Sequence, residues 1–213
     1  MNNMDRLQEE KKYLALGKTL IVGVDEVGRG PLAGPVVCAA VIMPLGEADI
    51  IDGIDDSKKI SEKKRILLAE KIKEKAIAYC IKQIEPKEID EINILNAVKK
   101  CMREAVLGLT VTPDVVLVDG NDIGVNLPCE YLIKGDARSY TIGAASILAK
   151  VYRDNLMEEY DSVYPEYNFK KHKGYGTKVH IDAIKEIGPC EIHRRSFIKN
   201  FWVEKAKEEP KDI

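Results

Sequence analysis

Cysteine and histidine are scarce in this chain. Its 213 residues include five cysteines and three histidines, and no two cysteines form a C-x-x-C pair. The cysteines are odd in number and widely separated, which argues against a disulfide framework and against a thiolate zinc site. With so few imidazoles, acid–base or metal chemistry falls mainly to carboxylates.

Long apolar runs are also missing, as is an excess of charge of one sign. The longest apolar stretches, 36–43 and 142–149, are far shorter than the roughly 20 residues of a membrane span, and no apolar signal core follows the first basic residues. We therefore expect a cytoplasmic protein with no membrane partner. Thirty-three Lys and Arg against thirty-five Asp and Glu give a net charge of −2, so a site for a polyanion must be a local patch.

Hydrophobic patterning predicts an alternation of strands and helices. Strands are predicted near 19–24, 35–43, 77–84, 115–118 and 129–133. Helices are predicted near 57–76, 93–109, 141–160, 179–187 and 197–205. This order indicates one α/β domain over residues 1–213, with a mixed sheet and a basic, helical C-terminal extension from about residue 165.

The sequence also predicts the character of two helices. Residues 3–16 are polar and end at Gly17, which predicts a short surface helix without evident chemistry. In the helix near 57–76, the apolar face is expected to include Ile66, Leu67, Ala69 and Ile72.

The most informative segment is 25–35, which reads Asp-Glu-Val-Gly-Arg-Gly-Pro-Leu-Ala-Gly-Pro. It places Asp25 and Glu26 at the end of a predicted buried strand, and the repeated glycine after them indicates a backbone that approaches another group closely. Arg29 adds a cation there. Adjacent residues of a regular strand face opposite sides, so both acids serve one centre only if the strand ends or bulges, or if Glu26 acts from the rim. The alternative is a turn with solvated acids.

Two further aspartates stand where metal ligands could converge. Asp119 follows the buried run 115–118, although it could instead form a turn with Gly120. Asp136 precedes the helix near 141–160, where a capping or an exposed acid is the alternative. Carboxylates from separate strand ends beside glycine-rich backbone describe a site for phosphate-ester hydrolysis with Mg²⁺ or Mn²⁺. In such a site, two ions activate a water and stabilise the leaving oxygen.

The C-terminal third of the chain is basic and aromatic. Between 168 and 199, eight Lys and Arg residues accompany three acids. Such a run is commonly only a solvated face. Here the rings of Tyr164, Tyr167, Phe169 and Tyr175 are interleaved with the bases. Tyr175 stands between two glycines, and an exposed ring on flexible backbone suits stacking against a sugar or base.

These motifs closely resemble those of the bacterial ribonuclease HII family, the type 2 ribonucleases H. The matching segments are 25–35, 56–59, 93–97, 118–120, 134–136, 144–151, 153–154 and 172–177, in the family's order through nearly the whole chain. The resemblance implies a ribonuclease H-like fold, in which helices flank a five-stranded mixed sheet and a C-terminal helical region completes the substrate groove.

The resemblance also implies an activity. It implies endonucleolytic cleavage of RNA in RNA–DNA hybrids and 5′ of single ribonucleotides in duplex DNA, leaving 3′-hydroxyl and 5′-phosphate ends. By motif match, the ligands of Mg²⁺ or Mn²⁺ would be Asp25, Glu26, Asp119 and Asp136. The residues that recognise the ribose 2′-hydroxyl and its phosphate would be Gly28, Arg29 and Gly30. Tyr175 would stack on the neighbouring deoxyribose. Phosphate-binding roles, each with a helix cap or a surface polar residue as the alternative, would fall to Ser57, Lys58 and Asn93.

Two other functions remain open from the sequence. A structure-selective DNA nuclease on a similar sheet would cut junction DNA without any ribose, and a non-catalytic nucleic-acid binding module would bind without cleaving. The second is disfavoured because a phosphate binder would place bases, not acids, at the strand ends. We expect a monomer that binds RNA–DNA hybrids and ribonucleotide-containing duplex DNA. Recruitment by a replication clamp stays open, because the tail 201–213 carries no readable signal for it.

Overall fold

The computed structural model describes residues 6–55 and 57–203, and a five-stranded sheet of order β3-β2-β1-β4-β5 lies at its centre. Its strands are β1 (Ile21–Val27), β2 (Val36–Ile42), β3 (Ala78–Ile84), β4 (Val115–Asp119) and β5 (Cys129–Leu132). β1 is antiparallel to β2 and parallel to β4, so the sheet is mixed. The predicted class and the number of strands are confirmed.

Helices cover both faces of the sheet and form the C-terminal segment. They are α1 (Gln8–Leu14), α2 (Glu62–Lys75), α3 (Pro86–Ile92), α4 (Ile94–Leu107), α5 (Tyr140–Val163), α6 (Phe169–His172), α7 (Lys178–Ile187) and α8 (Arg195–Ile198). Short 3-10 turns stand at Glu47–Asp49, Gly135–Ala137 and Pro165–Tyr167. Within the described part of the chain, none of these helices is long and apolar enough to cross a membrane.

The two faces of the sheet pack against different helices because side chains alternate along a strand. Val37 and Ala39 share one hydrophobic cluster with α5 and α2, whereas Val22 and Val24 share another with α4. α5 lies very close to β1 at Gly23. A Cβ atom there would lie 2.1 Å from the carbonyl carbon of Thr141, so only glycine admits the helix at this distance.

The C-terminal segment has a hydrophobic cluster of its own. Tyr167 and Phe169 pack there with Ala33 and Met157, and both rings are buried. These two rings are therefore core residues, not stacking platforms. The helix expected near 197–205 is wrong in extent, because α8 begins at Arg195 and ends at Ile198 and residues 199–203 are not helical; residues 204 and 205 lie outside the described part.

Two other helices differ from the prediction. The sequence pattern ends a strand before Pro86 and predicts no helix there, yet α3 begins at this proline, which has no N–H to satisfy in the first turn of a helix. In α2, the expected apolar face is right for Ala69 and Ile72, which are buried, and wrong for Ile66 and Leu67, which are 44% and 58% exposed. The buried face instead carries Arg65, which lies 3.3 Å from Asp154 of α5.

Candidate active site

Three aspartates meet at one end of the sheet. Asp25 lies on β1, Asp119 ends β4, and Asp136 lies in the turn Gly135–Ala137. Because β1 and β4 are parallel neighbours, their carboxyl ends lie side by side. One carboxylate oxygen of each aspartate lies within 4.8 Å of those of the other two. The structure thus brings together three of the four predicted acids.

Hydrogen bonds hold these carboxylates in place. Asp119 Oδ1 accepts the N–H of Gly135 at 2.9 Å, which ties the turn carrying Asp136 to β4. Asp25 Oδ1 accepts the N–H of Glu26 at 2.7 Å, and the side chain of Ser146 on α5 also hydrogen-bonds Asp25.

The electrostatics of this group suit a divalent cation. Burial raises the pKa of Asp25 well above its usual value, and the charges of Glu26 and Asp119 raise it further. Without a counter-charge, three buried or half-buried carboxylates repel one another. A hard cation would remove that repulsion, and carboxylate oxygens are the donors that Mg²⁺ and Mn²⁺ prefer. The donor set therefore fits the predicted ions.

Glu26 lies outside the group of three aspartates. β1 continues as a regular strand through Val27, where Glu26 pairs with Cys38 of β2, so Glu26 faces the α4 side while Asp25 faces α5. Its carboxylate oxygen lies 3.4 Å from Nη1 of Arg29. Burial raises the pKa of Glu26, opposed by Arg29 and reinforced by Asp119. β1 therefore neither ends nor bulges at Asp25, and Glu26 lies at the rim of the aspartate group, as the third of the predicted arrangements requires.

A cleft of about 220 Å³ opens over the aspartates, and Glu26, Ser57, Lys58 and Tyr175 line it. Ser57 is buried and caps no helix, because Ser61 occupies the N-cap position of α2. The Tyr175 ring is half-exposed, as its glycine flanks indicate.

Asn93 is not among the residues that line the cleft. Its side chain accepts the N–H of Asn96 at 3.1 Å and so caps α4. For Asn93, the helix-cap alternative is the one that the structure shows.

Two residues of α5 complete the cleft and were missed as site residues. The hydroxyl oxygens of Ser146 and Ser57 lie 3.0 Å apart, within hydrogen-bond distance. Lys150, one turn later, pairs with Asp154 at 2.7 Å, and burial lowers the pKa of Lys150. The signal available in the sequence was a serine and a lysine four positions apart on a helix that otherwise presents small apolar residues.

The loop 28–35 lies beside the cleft. Gly28 has φ +98°, a conformation that favours glycine, and a Cβ atom there would lie 2.4 Å from Nε of Arg153. A Cβ atom on Gly30 would lie 3.8 Å from Cε1 of Tyr175. The segment Gly28-Arg29-Gly30, the glycine triplet, therefore comes close to Tyr175 at Gly30.

Helix α1 is more than a surface helix. Glu10 is fully buried and accepts from the Ser139 hydroxyl at 2.6 Å and from the Thr141 N–H at 3.0 Å, at the start of α5. Arg6 donates to the carbonyl oxygen of Asp136. The short helix predicted over 3–16 is present as α1, but the sequence did not indicate that Glu10, and Arg6 just before the helix, face inward and hold the start of α5 and the backbone of Asp136.

A mixed sheet with carboxylates converging at the ends of adjacent parallel strands defines a ribonuclease H-like protein with a site suited to metal-dependent phosphodiester hydrolysis. Comparison with protein families identifies the family: the family model described as Ribonuclease HII matches residues 22–202. The chain belongs to the ribonuclease HII family and is a metal-dependent endoribonuclease, with the hydrolysis of RNA strands in RNA–DNA hybrids as its activity.

Curated relatives and solved structures agree with this assignment. The chain is 55% identical over 192 residues to the Ribonuclease HII of Caldicellulosiruptor saccharolyticus, covering 90% of this chain and 93% of the relative. It is 53% identical over 203 residues to that of Ruminiclostridium cellulolyticum, covering 93% and 79%. Among solved structures, the ribonuclease H2 from Pyrococcus horikoshii OT3 is 28% identical with a TM-score of 0.70, covering 83% of this chain and 92% of that one. The PCNA:RNase HII complex from Archaeoglobus fulgidus is 25% identical with a TM-score of 0.73, covering 88% and 98%.

Proposed function

We propose that this endoribonuclease also cleaves duplex DNA on the 5′ side of single embedded ribonucleotides, with two divalent ions, leaving 3′-hydroxyl and 5′-phosphate ends. One observation carries the proposal. A group of three aspartates within 4.8 Å shares a cleft with Tyr175, and a Cβ atom on Gly30 would lie 3.8 Å from the Tyr175 ring. This arrangement supports a site in which cation ligands and a backbone segment that recognises the ribose lie side by side.

The proposed ligands of Mg²⁺ or Mn²⁺ are Asp25, Asp119 and Asp136, with Glu26 contributing from the rim. When bound, the ions would activate a water and stabilise the leaving oxygen, so the protein needs no nucleophile of its own. The protein orients the ligands: Gly135 holds Asp119, and the Glu26 N–H holds Asp25.

Substrate selection is assigned to the other side of the cleft. Gly28, Arg29 and Gly30 read the ribose 2′-hydroxyl and its phosphate, since contacts to this hydroxyl distinguish RNA from DNA. Tyr175 stacks on the neighbouring deoxyribose. Lys58 and Ser57, which line the cleft, contact the phosphates. Asn93 has no such role in this proposal because its side chain caps α4.

A sliding clamp is proposed as a partner on the likeness to the Archaeoglobus fulgidus protein, which forms a complex with PCNA. The C-terminal tail shows no recruitment signal in the sequence, and its residues 204–213 lie outside the described part of the chain.

The test compares two duplexes, one all-DNA and one with a single ribonucleotide, with and without Mn²⁺. We expect cleavage only at the ribonucleotide and only with the ion. Asp25→Asn should abolish this cleavage while duplex binding survives, and the same change at exposed Asp182 on α7 serves as the control. Turnover retained by Asp25→Asn would refute the metal assignment.

The same duplexes separate the alternatives. Cutting of the all-DNA duplex would favour a DNA nuclease. Binding without cleavage at every ion concentration would favour a binding module.

A further inference from the structure

The glycine triplet is held from behind by an arginine that is far away in the sequence. Arg194 is fully buried, and its guanidinium donates to three carbonyl oxygens of one loop. Nη2 donates to Gly28 at 2.6 Å, Nη1 to Arg29 at 3.0 Å and Nε to Gly34 at 2.9 Å. The Phe197 ring lies 5.1 Å from this guanidinium. Arg194 therefore spans the loop with the rigid fork that only arginine offers.

These three hydrogen bonds from Arg194 determine which way the loop's peptide groups point. In a trans peptide, the carbonyl and the following N–H point in opposite directions, and the described residues contain no cis peptide bond. Since the carbonyls of Gly28 and Arg29 point inward to Arg194, the N–H groups of Arg29 and Gly30 point away from it. Neither N–H meets a hydrogen-bond acceptor within residues 6–55 and 57–203. Two adjacent donors are thus left available to a ligand.

A second buried arginine supports the same loop. Arg153 of α5 donates to the carbonyls of Pro35, Ala33 and Lys173 at 3.0, 3.1 and 2.9 Å. Among the described residues, no carboxylate lies within 4.0 Å of either guanidinium, since Asp154 pairs with Arg65 and Lys150. Burial, and after it the charge of Arg153, lowers the pKa of Arg194 to about 9, although the charge of Asp90 opposes this shift. Two buried cations without an ion-pair partner thus lie behind the outward N–H groups, which makes the loop attractive to an anionic ligand such as a phosphodiester.

We propose that Arg194 is a positioning residue that sets the preference for ribose over deoxyribose, by holding the carbonyls of Gly28 and Arg29 inward so that two N–H groups face the sugar and its phosphate. The inference rests on the proposed reading of the ribose by the triplet. Arg194 itself touches no substrate. Its sequence neighbour Arg195 is exposed and lies over Trp202, 5.2 Å from the ring centroid, so it offers a matched control.

The test measures binding without catalysis. In EDTA, fluorescence anisotropy gives the affinity for a duplex with one ribonucleotide and for the same duplex in all-DNA form. We expect Arg194→Lys and Arg194→Gln to lower the ribose preference by about tenfold, the effect of one lost hydrogen bond, with all-DNA affinity changed less. Arg195→Lys should keep the wild-type ratio. Thermal unfolding and Mn²⁺ titration establish that the variants are folded and that their metal site is intact.

Two results would overturn the proposal. An unchanged ratio in a folded Arg194→Gln protein would make Arg194 purely structural. A ratio lost in Arg194→Gln but kept in Arg194→Lys would mean that charge, not the guanidinium fork, matters. Failure of the proposed function itself looks different, because the wild-type protein would then show no ribose preference at all.

Discussion

The contact between Gly23 of β1 and the start of α5 gives the sharpest test of how the fold supports the site. A Cβ atom at Gly23 would lie 2.1 Å from the Thr141 carbonyl carbon, and real Cβ atoms essentially never come nearer than 3.0 Å to another heavy atom, so α5 must move by about 0.9 Å. The added Cβ atom would meet backbone atoms, which cannot move aside as a flexible side chain can. We therefore expect Gly23→Ala to lower the free energy of unfolding by about 3 kcal/mol, the upper part of the range for overpacking. For a chain of this size, that corresponds to a fall in melting temperature of roughly 6–12 °C.

The same shift should weaken metal binding. Thr141 follows the turn with Asp136, so moving it away from β1 separates Asp136 from Asp25. We expect Mn²⁺ to raise the melting temperature of Gly23→Ala less than that of the wild-type protein, because stabilisation by a ligand follows its affinity. Differential scanning calorimetry with and without Mn²⁺ measures both effects.

The matched control is Gly30→Ala, where the nearest atom to the added Cβ lies 3.8 Å away, on Tyr175, and we expect it to melt close to the wild type. If Gly23→Ala also melts within about 2 °C of the wild type, the close packing of α5 on β1 and the reasoning built on it are refuted.

Two further predictions concern buried titratable side chains. Glu10→Ala removes the acceptor at the start of α5 and should lower the unfolding free energy by about 2–4 kcal/mol and weaken Mn²⁺ binding. Denaturant unfolding and Mn²⁺ titration measure these two effects. A Glu10→Ala protein as stable as the exposed control Lys11→Ala, with the same Mn²⁺ affinity, would contradict the prediction. Burial lowers the pKa of His180 to about 4 and that of His193 to about 3, from an ordinary 6.5. Below pH 6.5, both imidazoles therefore take up protons when the protein unfolds. The unfolding free energy should therefore fall, by up to a few kcal/mol, as the pH drops from about 6.5 to about 4. His193→Gln should flatten this dependence in denaturant titrations at pH 7 and pH 5, and an equal slope in both proteins would count against it.

Local patterns were enough to predict the sheet and most of its acids. The run Val115–Val118 is apolar at every position, which predicts a strand buried on both faces and places Asp119 at its end. Alternation along a strand already indicated that Asp25 and Glu26 face opposite sides, as the structure shows. Such features depend on side-chain periods of two or 3.6 residues, and a period can be read within a short window.

Contacts between segments that are far apart in the sequence became visible only in the tertiary structure. Arg194 looked like one base in a solvated run, and Glu10 like an acid on a surface helix, yet both are buried. Arg194 donates to backbone carbonyls of the loop 28–35, and Oε1 of Glu10 accepts from Ser139 and Thr141. Tyr167 and Phe169 carried the same aromatic signal as Tyr175, but the first two are core residues.

The physical reason is the same in each case. Composition and periodicity determine which face of an element is apolar, and so they determined the strands, most of the helices and the acids at the strand ends. The partner of a buried polar group is chosen by the packing of the whole chain, because burial is favourable only where a complementary donor or acceptor is already in place. The sequence was therefore enough to predict the acids that converge at one end of the sheet, whereas it did not show the side chains that hold them in position.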